Sequence, residues 1–93
     1  MKKILVHVHI FYENLYPELK ACLLNLKDYN CDYIFTFVKE NKTLESDIKS
    51  TFSNAKIEIV KNFGFDLGPF VHVLNEVNLR DYSYVIKLHT KRD

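Results

Sequence analysis

Apolar positions along this chain alternate between a strand rhythm and a helix rhythm. Ile4-Leu5-Val6-His7-Val8-His9-Ile10-Phe11 is β-branched and almost continuously apolar. A strand buried on both faces of a parallel sheet reads this way. From Leu15 the apolar residues are Leu15, Leu19, Cys22, Leu23 and Leu26. That spacing is one stripe of a helix with about 3.6 residues per turn, and Pro17 fits only its first turn. Asp28-Tyr29-Asn30 turns the chain, and Tyr33 to Val38 is a second strand. Asn41-Lys42-Thr43 caps a second helix whose inward face is Leu44, Ile48 and Phe52, and Ser53-Asn54 ends it. Ala55 to Val60 is a third strand, with Ile57 and Ile59 alternating against Lys56 and Glu58. Gly68-Pro69 opens a third helix carrying Phe70, Val73, Leu74 and Val77 on one face. Arg80-Asp81 turns the chain into a fourth strand, Tyr84 to Leu88.

The order β-α-β-α-β-α-β predicts an α/β domain: three layers, α/β/α, around a mainly parallel four-stranded sheet of order 3-2-1-4. The 93 residues suffice for one domain. The last strand is followed by a basic cluster and no covering element. An open final edge is expected. It points to the amino-terminal piece of a larger α/β enzyme and offers a contact for a homodimer.

Composition adds exclusions. A hydrophobic fraction of 47% supports a packed core. A formal net charge of +1 supplies no global attraction to nucleic acid or to an anionic membrane surface, so no nucleic-acid partner is expected. Cys22 and Cys31 form no CxxC pair, and Cys22 falls on the apolar stripe as a core residue. No apolar run reaches the ~18 residues of a membrane span. The opening Met-Lys-Lys is followed by a run broken at His7 and His9, without a small-residue cleavage site, so no signal segment is expected and the location reads as cytoplasmic.

Both glycines, Gly64 and Gly68, lie in the stretch Lys61 to Phe70, between the third strand and the third helix. Glycine serves where φ is positive or where something approaches the backbone closely. In open α/β sheets, ligands bind outside the carboxyl ends of the strands, where strand order reverses. With order 3-2-1-4 that point lies between strands one and four, bringing His9 towards His89 and Lys91. The glycine turn can let a helix N-terminus approach a diphosphate, or be a tight turn in which Asp66 caps the helix. It is neither GxGxxG nor a P-loop. Lys87, His89 and Lys91 alternate onto one side of an extended chain and can face a shared anion, or be a solvated tail. His7 and His9 have a spacing that can bind metal, yet no Cys, Asp or Glu cluster completes a site. His7 therefore reads as a hydrogen-bonded core residue, His9 as a site candidate, His72 as helix surface, and no metal ligand set is assigned. Neither a nucleophile elbow nor a paired carboxylate for glycoside hydrolysis is present.

Three segments together resemble the rhamnan synthesis F family: Lys3-Ile-Leu-Val-His-Val-His-Ile-Phe-Tyr12, Asn62-x-Gly-x-Asp-Leu-Gly-Pro-Phe70, and Asp81-Tyr-x-Tyr-Val-Ile-Lys-Leu-His-Thr-Lys-Arg92. The resemblance implies the nucleotide-binding, Rossmann-like half of a GT-A glycosyltransferase. It implies transfer of a deoxyhexose from a nucleotide-diphosphate sugar, dTDP-rhamnose, to a polysaccharide or lipid-linked acceptor at the inner membrane face. His9, Phe11 and Tyr12 would line the nucleotide pocket. Asn62, Gly64, Asp66 and Gly68 would shape the donor loop. Lys87, His89 and Lys91 would stabilise the diphosphate, and the catalytic base would come from outside this chain, leaving the piece alone inactive. Two departures stand out. Phe63 and Phe65 occupy positions where family members commonly carry arginine, and no two aspartates form the Asp-x-Asp motif that holds a divalent metal in GT-A enzymes. Beside this stands a reading as a non-catalytic nucleotide-binding or interaction domain of the same fold.

Overall fold

The computed structural model describes the backbone of residues 3–60 and 67–90, and the side chains of 3–60 and 70–88. β1 spans Lys3–Ile10, α1 Tyr16–Leu24, β2 Cys31–Phe37, α2 Lys42–Thr51, β3 Lys56–Ile59, α3 Leu67–Glu76 and β4 Tyr82–Thr90. Short 3₁₀ turns occupy Glu13–Leu15 and Leu79–Asp81. The strands form one parallel sheet in the order β3-β2-β1-β4, as the alternation predicts. The chain steps outward from β1 to β3, then returns past β1 to lay down β4. That reversal puts α3 on the face opposite α1 and α2, because crossovers keep one hand.

The two faces have different cores. On one, Val6, Val8 and Ile10 of β1 and Phe35 and Phe37 of β2 pack with Tyr16 and Leu23 of α1 and Ile48 and Phe52 of α2. On the other, Leu5, Ile34 and Val73 form a smaller cluster with Val77 and Tyr82 against it. The period of two along β1 therefore turns Leu5, His7 and His9 towards the α3 layer.

Local chemistry sets the helix ends. Pro17 sits in the first turn of α1. Asn41 caps α2: its side-chain oxygen accepts from the Leu44 N–H at 3.0 Å, and the Glu45 carboxylate accepts from the Asn41 N–H at 2.9 Å. This reciprocal pair satisfies two otherwise open donors. β3 is shorter than the predicted Ala55 to Val60, although the Val60 N–H still donates to the Phe37 carbonyl at 2.7 Å. β4 starts earlier than predicted, at Tyr82, whose hydroxyl donates to Asp32 at 2.9 Å.

One expectation is corrected. Cys22 is exposed, not a core residue. Tyr16, Leu19, Leu23 and Leu26 occupy the inward arc of the first helical segment, with Tyr16 and Leu23 buried in the core. Cys22 lies on the flank of that arc, where a small side chain leaves it open to water. Cys31, at the start of β2, is buried. Among the described residues, no helix is long and apolar enough to cross a membrane.

Candidate functional site

The strand order reverses between β1 and β4, and their register decides what meets there. His7 lies opposite Lys87, and His9 opposite His89. On the other side of β1, His9 lies opposite Thr36 of β2, and Thr36 opposite Glu58 of β3. Among the described side chains, a polar row of Glu58, Thr36 and His9 therefore crosses β3, β2 and β1 on the α3 side, towards their carboxyl ends.

At the centre of that row the Thr36 hydroxyl is 2.8 Å from His7 Nε2 and 2.8 Å from His9 Nδ1. His7 and Thr36 are fully buried, and His9 is 4% exposed. A hydroxyl has one hydrogen to donate, so it can donate to only one ring and must accept from the other, or accept from both. At least one of the two facing ring nitrogens therefore carries a hydrogen, and the tautomer of each histidine depends on the other. Phe70, in the first half of α3, stacks on His7 with ring centroids 5.8 Å apart and planes within 10° of parallel. Lys87 Nζ lies 5.8 Å from the centre of the same Phe70 ring, a cation–π distance.

Just past β1, Phe11 and Tyr12 meet edge to face at 4.9 Å and are 43% and 37% exposed. They form an aromatic rim at the strand end. The next rim position is already committed to structure, since Asn41 caps α2 and donates through its side-chain amide to Glu13. That bond ties together the loops following β1 and β2.

The predicted site residues thus divide into three groups. His9, Phe11, Tyr12 and Lys87 converge on the β1–β4 end, and the backbone of His89 is paired with His9. Gly68 lies in the first turn of α3. Asn62, Gly64, Asp66 and Lys91 lie outside the described residues. His7 is a hydrogen-bonded core residue, as its sequence context predicts. Thr36 and Phe70 were not singled out for the site. The signal for Thr36 was available: it is the one polar residue in Tyr33 to Val38, and period-two alternation places it on the face opposite Tyr33, Phe35 and Phe37. A groove along α2 and β3, bounded by Lys42, Glu45, Lys49 and Ile57, faces away from these groups on the other side of the sheet.

Burial also shapes the tyrosines around the core. Desolvation, reinforced by the Asp47 charge, pushes Tyr16 up to about 12. Desolvation and the neighbouring Cys31 do the same for Tyr33, and desolvation with the hydrogen bond to Asp32 for Tyr82, both to about 12.

A three-layer parallel α/β domain, with polar groups gathered at the carboxyl end of its strand-order reversal, is of the class that binds ligands in that crevice. The family model of rhamnan synthesis protein F matches residues 1–93, and the chain belongs to that family. Membership gives it a role in rhamnan synthesis, the building of a polysaccharide. No curated protein and no solved structure matches the chain significantly.

Proposed function

We propose that this chain is the donor-binding part of a glycosyltransferase that moves a deoxyhexose, rhamnose, from a nucleoside diphosphate to a growing polysaccharide. The observation that carries the reading is the pairing of β1 with β4 at the strand-order reversal, which sets His9 against His89 and His7 against Lys87. Family membership in rhamnan synthesis supports the substrate class.

In this reading the exposed rings of Phe11 and Tyr12 stack on the base, and aromatic faces bind bases through such stacking. Lys87 and His89, with Lys91 beyond them, compensate the charge that builds on the diphosphate as the glycosidic carbon departs. Cations placed where negative charge develops lower the barrier most when they are held in position beforehand. The Phe70 ring, 5.8 Å from the Lys87 ammonium, supports that role. Asn62, Gly64, Asp66 and Gly68 shape the donor loop. Without an Asp-x-Asp motif, side-chain cations take the part that a divalent ion plays in other GT-A enzymes.

Calorimetric titration with dTDP, UDP and GDP, each with and without Mg²⁺ or Mn²⁺, tests the reading. Expected is selective, metal-independent binding of dTDP. Lys87→Ala or His89→Ala should weaken it by ~1–3 kcal/mol if each loses a charged hydrogen bond. Failure to bind any nucleotide overturns the proposal and favours an interaction domain.

A further inference from the structure

A second group of titratable side chains lies at the β3 end of the polar row, against α3. Glu58 belongs to edge strand β3 and is turned to the α3 side. His72 and Glu76 stand four residues apart on α3 and so share a helix face. His72 Nε2 is 3.3 Å from Glu58 Oε1 and 3.2 Å from Glu76 Oε1. Ligand-capable atoms of all three side chains lie within 4.8 Å of one another. The Glu58 side chain is 18% exposed, while His72 and Glu76 at 43% and 30% leave a path to solvent.

The imidazole bridges the two carboxylates, and one N–H shared between two acceptors gives separations longer than the roughly 2.7–2.9 Å of a single charge-assisted bond. A tetrahedral ion with ligands at about 2.0–2.2 Å holds neighbouring ligand atoms about 3.4 Å apart. The two measured gaps lie close to that edge length. Lys56 Nζ sits 3.7 Å from Glu58 Oε2 and 3.7 Å from Glu76 Oε2 and offsets part of their charge. A cation, tethered to the chain, already stands against the far oxygens of both carboxylates.

We propose that Glu58, His72 and Glu76 bind a divalent cation of the zinc class, with Lys56 as the internal cation that competes for the same carboxylates. The mixed imidazole and carboxylate set favours zinc-like ions over Mg²⁺ and Ca²⁺, which prefer oxygen ligands alone. Three protein ligands leave a fourth position for water. β3 and α3 are the elements on either side of the glycine turn, so a bound ion cross-links the two anchors of that segment. Its role is structural, and it does not rest on the transferase reading.

The test is calorimetry with Zn²⁺ and visible spectroscopy with Co²⁺ on the metal-free chain. A Cys22→Ser background removes the exposed thiol as a competing ligand. Expected are one equivalent bound and the intense visible bands of tetrahedral Co²⁺. His72→Gln and Glu76→Gln should each weaken binding about tenfold or more, on the scale seen when groups supporting a metal site are lost. Lys56→Gln should tighten binding by removing the competing charge. Absence of binding at millimolar Zn²⁺, affinity unchanged by His72→Gln, or weaker binding in Lys56→Gln would each overturn the assignment. Circular dichroism of every variant checks folding. Should His72→Gln unfold, the direction of the Lys56→Gln change decides alone.

Discussion

Replacing Thr36 with valine is the sharpest probe of the buried histidine pair. Valine keeps the branched shape and the strand preference of threonine, so the backbone and the packing outline are retained. What disappears is the hydroxyl that lies 2.8 Å from both His7 Nε2 and His9 Nδ1. With His7 fully buried and His9 nearly so, water cannot replace it without opening the sheet. Each buried polar atom that loses its partner costs roughly 1–3 kcal/mol. The added methyl returns something under the ~0.8 kcal/mol of a buried CH₂. The net loss should be about 2–4 kcal/mol, a large share of the roughly 5–14 kcal/mol expected for a domain of this size. Urea denaturation followed by circular dichroism reads the stability, and nitrogen-detected NMR of the imidazoles reads the tautomers. Thr36→Ser should keep the tautomers of the native chain and lose only about 1 kcal/mol, for the missing methyl. If Thr36→Val were within ~0.5 kcal/mol of the native chain with unchanged ring signals, or if Thr36→Ser were equally damaging, the hydroxyl would not be what holds the pair.

Other outcomes follow from the same structure. Tyr16, Tyr33 and Tyr82 titrate at about 12 in the fold against 10.0 ordinarily, so the folded state holds its phenolic protons longer than the unfolded one. Their contribution is fully present below pH 10 and is lost as pH rises through about 12. Unfolding followed against pH should steepen in that window, and Tyr82→Phe should shift its share. Exposed Cys22 should react with a thiol reagent in the native state while buried Cys31, whose thiol desolvation pushes up, reacts only on unfolding. Two equally fast thiols would contradict the corrected helix face. Asn41→Ala should remove the α2 cap and cost about 1 kcal/mol in a denaturation curve, whereas Asn41→Asp should largely preserve it.

How much of the candidate site was legible follows from the range of each interaction. Asn41 could be read directly, because a cap engages residues three and four positions away and the pattern lies within one short segment. His9 and Lys87 were legible as site candidates because each lies near the carboxyl end of a strand, and topology alone brings such ends together. The His7–Thr36–His9 group was not legible as a unit. Its members are 27 and 29 residues apart, and a slip of one residue in the β1–β2 register would turn Thr36 to the opposite face. Cys22 was misplaced because a stripe drawn on a helix wheel does not say which of its residues the sheet will reach. Tyr16 and Leu23 are the residues of α1 that are buried there, and Cys22 falls outside their arc.

Taken alone, the order of apolar runs determined that this chain is a parallel α/β domain, since strand and helix periods are local properties of neighbouring residues. It also determined the helix starts at Pro17 and Asn41, which depend on side chains within one turn. Only the tertiary structure decided which polar residues meet. It set Thr36 between two histidines, Phe70 between His7 and Lys87, and Glu58 against His72 and Glu76. Those meetings depend on strand register and on where a crossover helix lies over the sheet. Both are settled by long-range packing of the two cores rather than by the spacing of residues along the chain.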